Sequence, residues 1–116
     1  MDIKTDERII AFQTQYLERL IKLCNPVLVQ VFGSRARGDA LRESDLDLLI
    51  VSDIFDAMHY PARAVFLYNE LKIDLPVEYI CLTVDEFQLR RSELGIVSEA
   101  LKEGWPIYEE KNHLGI

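Results

Sequence analysis

Cysteine is scarce in this chain of 116 residues, with only Cys24 and Cys81, each inside an apolar segment. Two such positions do not make a disulfide framework, and both read as buried thiols of a cytosolic protein. Long apolar runs are also missing. None approaches the ~20 residues that a membrane-crossing helix needs, so no transmembrane span is expected. Met1 to Arg8 is charged and lacks the apolar stretch of a signal peptide. Basic residues are in deficit, with 13 Lys and Arg against 20 Asp and Glu and a net charge of -7. That balance argues against a protein that lives on the phosphate backbone of nucleic acid. It leaves room for a metal site or a basic partner. Histidine is limited to His59 and His113, with no Cys or His at ligand spacing, so no zinc-type site is expected. No repeat, low-complexity tract or linker divides the chain.

What is present is an ordinary globular balance, 49% hydrophobic and 28% charged. The expectation is one domain over residues 1–116. A chain of this size buries roughly two-thirds of its unfolded surface, enough for a sizeable core. Thr5 can cap a helix with Asp6 and Glu7 in its first turn. Ile9, Ile10, Tyr16, Leu17, Leu20, Ile21 and Cys24 then recur as one helical face, and Asn25-Pro26 ends it. Val27 to Phe32 reads as a buried strand, Gly33 to Ser44 as a polar loop, and Leu46 to Val51 as a second strand. Ser52 to Asp56 reads as a loop. A helix is predicted from Ala57 or Tyr60 to Leu71, with Pro61 suited to its first turn. Pro76 opens a third strand, Val77 to Leu82. Thr83-Val84-Asp85-Glu86 is a capping box that starts a helix. A last helix carries Ile96, Val97, Ala100 and Leu101 and stops at Gly104. Trp105 to Tyr108 closes the chain as a short strand, with Trp105 packing the last helix on the sheet. Alternating strands and helices make an α/β domain. Phe12, Tyr16, Phe66 and Tyr68 read as core or interface residues, and Arg90-Arg91 as a solvated helix face.

The informative stretch is Gly33-Ser34, ten residues, then Asp45-Leu46-Asp47. Side chains alternate along a strand, so Asp45 and Asp47 share one face while Leu46, Leu48 and Ile50 take the other. Two carboxylates two apart are costly unless something positive binds them. Mg²⁺ is typically held by one or two carboxylates plus substrate phosphates. The plainer reading makes both surface residues at a strand entrance. Gly33-Ser34 directly follows a strand, where a tight turn can offer backbone N–H groups and a hydroxyl to an anion. Arg35, Arg37 and Arg42 lie just beyond it, three of the 13 basic residues in eight positions. A guanidinium suits phosphate oxygens. Equally, the arginines could pair with Asp39 and Glu43 in a surface loop. Neither a P-loop nor a dinucleotide fingerprint is present. Glu78 sits in an otherwise apolar strand. If that strand lies beside the second, Glu78 joins Asp45 and Asp47; if it is an edge, Glu78 faces water.

Together these residues resemble the minimal nucleotidyltransferase (MNT) domain of the DNA polymerase β-like nucleotidyltransferase superfamily. The resemblance rests on Gly33-Ser34-Arg35-Ala36-Arg37-Gly38, then Ser44-Asp45-Leu46-Asp47-Leu48-Leu49-Ile50-Val51, and on the closing run Ala100 to Tyr108. It implies a single-domain nucleotidyltransferase fold with a small mixed sheet flanked by helices. It further implies transfer of AMP from ATP to a hydroxyl, with two Mg²⁺ ions held by Asp45, Asp47 and Glu78. Gly33 and Ser34 would bind the nucleotide's phosphates, with Arg35 and Arg37 as candidate contacts. Glu78 departs from the more frequent Asp, and would complete the metal site or take the acceptor's proton. Small MNT proteins of this kind resemble antitoxins that adenylylate and silence an all-helical HEPN ribonuclease toxin. The resemblance therefore implies a cytoplasmic, hetero-complex-forming enzyme with no direct nucleic-acid or membrane partner. Two alternatives stand beside it: an antitoxin acting by contact alone, and a transferase for small molecules of the antibiotic type.

Overall fold

The computed structural model describes residues 6–110. Asp6 starts the first helix, α1 (Glu7–Gln15), by accepting the backbone N–H of Arg8 and of Ile9. The cap is thus one residue later than expected, and Thr5 lies outside the described residues. The predicted single helix is two. Tyr16 has a non-helical backbone, and α2 (Leu17–Cys24) follows at once. The break turns Ile9 and Phe12 of α1, and Leu20 and Cys24 of α2, into one core, while Ile10 stays 43% exposed. Asn25 ends α2 in the left-handed conformation that a short polar side chain tolerates.

Strand β1 (Leu28–Phe32) is β-branched and wholly buried. The stretch after it, expected to be loop, begins as a helical turn, α3 (Gly33–Arg37), closed by Gly38 at φ 84°. Strand β2 (Leu46–Val51) leads into a 3-10 turn, Asp53–Ala57, where a loop was expected. Helix α4 (Tyr60–Leu71) carries Pro61 in its first turn, where no N–H is needed. Strand β3 (Val77–Leu82) follows. Thr83 and Glu86 then exchange both bonds of a capping box at the start of α5 (Val84–Arg90). Helix α6 (Ile96–Glu103) and strand β4 (Trp105–Glu109) complete the described chain.

The sheet order is β3-β2-β1-β4. Pairs β1–β2 and β1–β4 are antiparallel, and β2–β3 is parallel, joined through α4. The sheet is therefore mixed. Alternation sorts β2 as expected: Leu46, Leu48 and Ile50 enter the main core with α1, α2 and α4. Leu49 and Val51 face the other way, into a smaller core with Phe87, Val97 and Ala100 of α5 and α6. Gln30 is buried on β1, and its side-chain amide is satisfied by donating to the Ala100 carbonyl of α6 at 2.8 Å. Trp105 packs against the main core rather than with α6. Gly104 ends α6 and also lies against the Val31 backbone so closely that any Cβ would collide with it. Strand β3 is an edge, and two of its outward carbonyls are covered. Arg63 donates to Cys81 and Tyr68 to Val77. Such partial cover blunts the pairing template of an open edge. Both cysteines are buried, and burial pushes each thiol up to about 12. No helix among the described residues is long and apolar enough to cross a membrane.

Candidate active site

The second sheet face is covered by α5 and α6 at one end only. At the other end the apolar pattern of β2 gives way to Asp47. Asp47 pairs with Phe32 on one side and stands in register with Glu78 on the other. Asp45 comes just before β2 and is exposed. β3 does lie beside β2, and it is also the sheet edge, so Glu78 faces solvent while meeting Asp47 across the pair.

The neighbouring acids act on Asp47. Burial pushes the Asp47 carboxyl up to about 6, and the Glu78 charge, a hydrogen bond with Glu78 and the Asp45 charge add to the rise. Arg37 opposes it. Three acids at one strand end, with a single guanidinium acting against the shift, form a hard oxygen donor set short of positive charge. A divalent cation suits such a set. Among the described residues, no group of three or more His, Cys, Asp or Glu side chains is placed to hold a metal ion together. A cation here would meet at most two of the three carboxylates, with water and substrate oxygens supplying the rest of its shell.

Gly33 explains how backbone reaches this point. It sits where β1 turns into α3, at φ 74°, and a Cβ built on it would strike the Asp47 carboxylate. Only glycine allows both the conformation and the approach. Ser34 follows, half-buried, with no intramolecular partner for its hydroxyl among the described residues. Beside the acids lies a cleft of about 280 Å³ lined by Phe32, Asp47, Glu78, Tyr79, Ile80 and Ile96.

The two arginines have different fates. Arg37 is exposed on the rim, bonded to Glu103 at 2.8 Å and Asp39 at 3.2 Å. Arg35 is 4% exposed and turned inward to Asp6 at 2.9 Å. That corrects the phosphate role expected for Arg35, because its donors are already occupied inside the protein. Of the residues singled out from sequence, Gly33, Ser34, Arg37, Asp45, Asp47 and Glu78 come together at one end of the sheet. Phe32 and Ile80 were missed, although both follow from strand register and alternation. Ile96 was also missed, and only the placement of α6 brings it there.

Residues 14–104 match the protein family described as Nucleotidyltransferase domain. No curated protein matches the chain. Among solved structures, a "putative nucleotidyltransferase" from Sulfolobus solfataricus is similar, at 25% identity and a TM-score of 0.61. The match covers 90% of this chain and 84% of that one.

Proposed function

We propose a catalytic role that starts from one fact: the chain belongs to the nucleotidyltransferase domain family. The reaction is transfer of AMP from ATP to a hydroxyl of a partner protein, and the partner is a HEPN ribonuclease toxin that the modification silences. The observation that carries the catalytic part is the pairing of Asp47 with Glu78, with Asp45 at the same strand end and the Gly33-Ser34 turn against it.

In this reading Asp45 and Asp47 hold the cation side of the nucleotide, and Ser34 with the Gly33 turn holds its β- and γ-phosphates. Mg²⁺, when bound there, would neutralise triphosphate charge and align the attacking and leaving oxygens. The acceptor oxygen attacks the α-phosphorus, the bond from that phosphorus to the bridging oxygen breaks, and pyrophosphate leaves with the electron pair. Glu78 completes the oxygen set or accepts the hydroxyl proton. Arg37, on the rim, is available to a phosphate oxygen by exchanging its carboxylate partners. The net charge of -7 supports docking on a basic, RNA-cutting protein through complementary charge.

The test uses α-labelled ATP, Mg²⁺ and a HEPN protein together with this chain. Label on the partner that vanishes with Asp45→Asn/Asp47→Asn is the expected result. Neutralisation that persists in the double variant would establish action by contact alone. Label found only on an added antibiotic would establish a small-molecule acceptor.

A further inference from the structure

We infer that the buried pair Asp6–Arg35 is the positioning device of the carboxylate site, acting on Asp45 through the backbone that precedes it. The inference rests on the reading of Asp45 as a cation-binding carboxylate.

Arg35 points inward, and its donors reach two other parts of the chain, the start of α1 and the segment 41–44. Nη1 meets the Asp6 carboxylate at 2.9 Å. Nε donates to the Ser44 carbonyl at 3.0 Å, and Nη2 to the carbonyls of Arg42 at 2.8 Å and Leu41 at 3.4 Å. Arg8 adds a bond to the Arg42 carbonyl at 3.3 Å. The other Asp6 oxygen caps α1. One guanidinium thus ties the start of α1 and the α3 turn to the segment 41–44.

That segment has little else to hold it. Leu41 is 78% exposed. Its own bonds close it on itself, Ser44 N–H to Leu41 at 3.0 Å and Leu41 N–H to the Ser44 hydroxyl at 3.1 Å. Asp45 follows directly and its side chain is exposed, so its place is set by the backbone on either side. On one side the Ser44 carbonyl is held by Arg35. On the other, the Leu46 N–H donates to Pro76 at 2.9 Å. Removing Arg35 frees one of the two anchors. A buried ion pair is a weak route to stability compared with apolar packing of the same volume. What it supplies here is direction, because a planar fork of five donors fixes several carbonyls at once.

Arg35→Met alone would leave Asp6 buried without a counter-charge, so the working variant is Asp6→Asn/Arg35→Met, in which Asn still caps α1. Calorimetric titration of the full chain with ATP in the presence of Mg²⁺ is run on four proteins: wild type, the neutral pair, Asp45→Asn, and the two combined. Circular dichroism melting verifies folding. If the neutral pair does not fold, Arg35→Lys, which keeps the charge beside Asp6, takes its place in the four-way comparison. The expected loss from the neutral pair is about tenfold in affinity, the scale at which a supporting residue affects a metal site. With Asp45→Asn already present, the same pair should change affinity by no more than about twofold, since coupled residues do not add. Amide exchange at Ser44 to Leu46 should quicken by about tenfold or more as the anchor goes. Equal losses in both backgrounds, no loss, or unchanged exchange would overturn the positioning role. A wild-type protein that takes up no ATP with Mg²⁺ would refute the nucleotide reading itself, and the role with it; exchange then still reports whether the clamp exists.

Discussion

The two faces of the sheet both bury a core, but they differ at one end. On one, Leu46, Leu48 and Ile50 of β2 are fully buried against α1, α2 and α4. On the other, the same strand begins with a half-buried carboxylate facing a second one in register. Neighbours such as Asp47 and Leu48 therefore contribute with opposite sign. Leu48 supplies apolar burial, worth about 1.5–3 kcal/mol for such a side chain. Asp47 carries a charge penalised by burial and by Glu78. The first face carries the larger core throughout, while the second carries a smaller core of Leu49, Val51, Phe87, Val97 and Ala100 and, at one end, a carboxyl whose burial disfavours its charge.

The sharpest break of the comparison is Asp45→Asn/Asp47→Asn. We expect label transfer to fall by at least about a hundredfold, the scale of losing electrostatic stabilisation of a transition state, with the circular dichroism spectrum unchanged. On the other face, Phe12→Ala should cost about 3–5 kcal/mol by urea denaturation, while the protein that remains folded keeps its affinity for ATP with Mg²⁺. Gly33→Ala joins the two faces' terms. The left-handed backbone costs about 1–2 kcal/mol for an L side chain, and the new methyl displaces the Asp47 carboxylate, so both stability and ATP affinity should drop.

The pH dependence carries its own sign. The Asp47 carboxyl is raised from 3.8 to about 6, so between those values the folded chain binds more protons than the unfolded one. Stability contributed there must fall as pH rises through the window, and it stays lower above it. Asp47→Asn should therefore raise the melting temperature at pH 8 and leave it nearly unchanged at pH 4, by differential scanning fluorimetry. Protons and the cation compete for the same carboxylate, so Mg²⁺ should bind more weakly at pH 5 than at pH 7. The smallest effect is expected from Arg37→Ala. Its pairs with Asp39 and Glu103 are exposed and add little to stability, so the melting temperature should hold while ATP affinity weakens.

Much of the fold was legible because local chemistry was unambiguous. The capping box at Thr83 and Glu86, Pro61 at a helix start and the β-branched run into Phe32 each have one favourable backbone solution. The break at Tyr16 was hidden, because an apolar pattern at helical spacing continues through it. α4 ends at Lys72 with φ 46°, without the glycine that usually marks such an end. α3 was hidden because Gly33, the capping Gly38 and the charged residues between them read as loop. At the site, Gly33, Asp45 and Asp47 were legible from spacing and alternation. The burial of Arg35 was not, since its partners Asp6 and Ser44 are 29 and 9 residues away.

The sequence by itself determined which residues can meet on one strand face, because the period of an extended chain is two and needs no knowledge of neighbours. It also determined the capping box that opens α5 and the proline start of α4. Only the tertiary structure decided that β3 lies parallel to β2 with Glu78 level with Asp47, and that of two arginines two residues apart one turns inward and one outward. Both outcomes depend on contacts between segments far apart in the chain, which form only when the two cores close on the sheet.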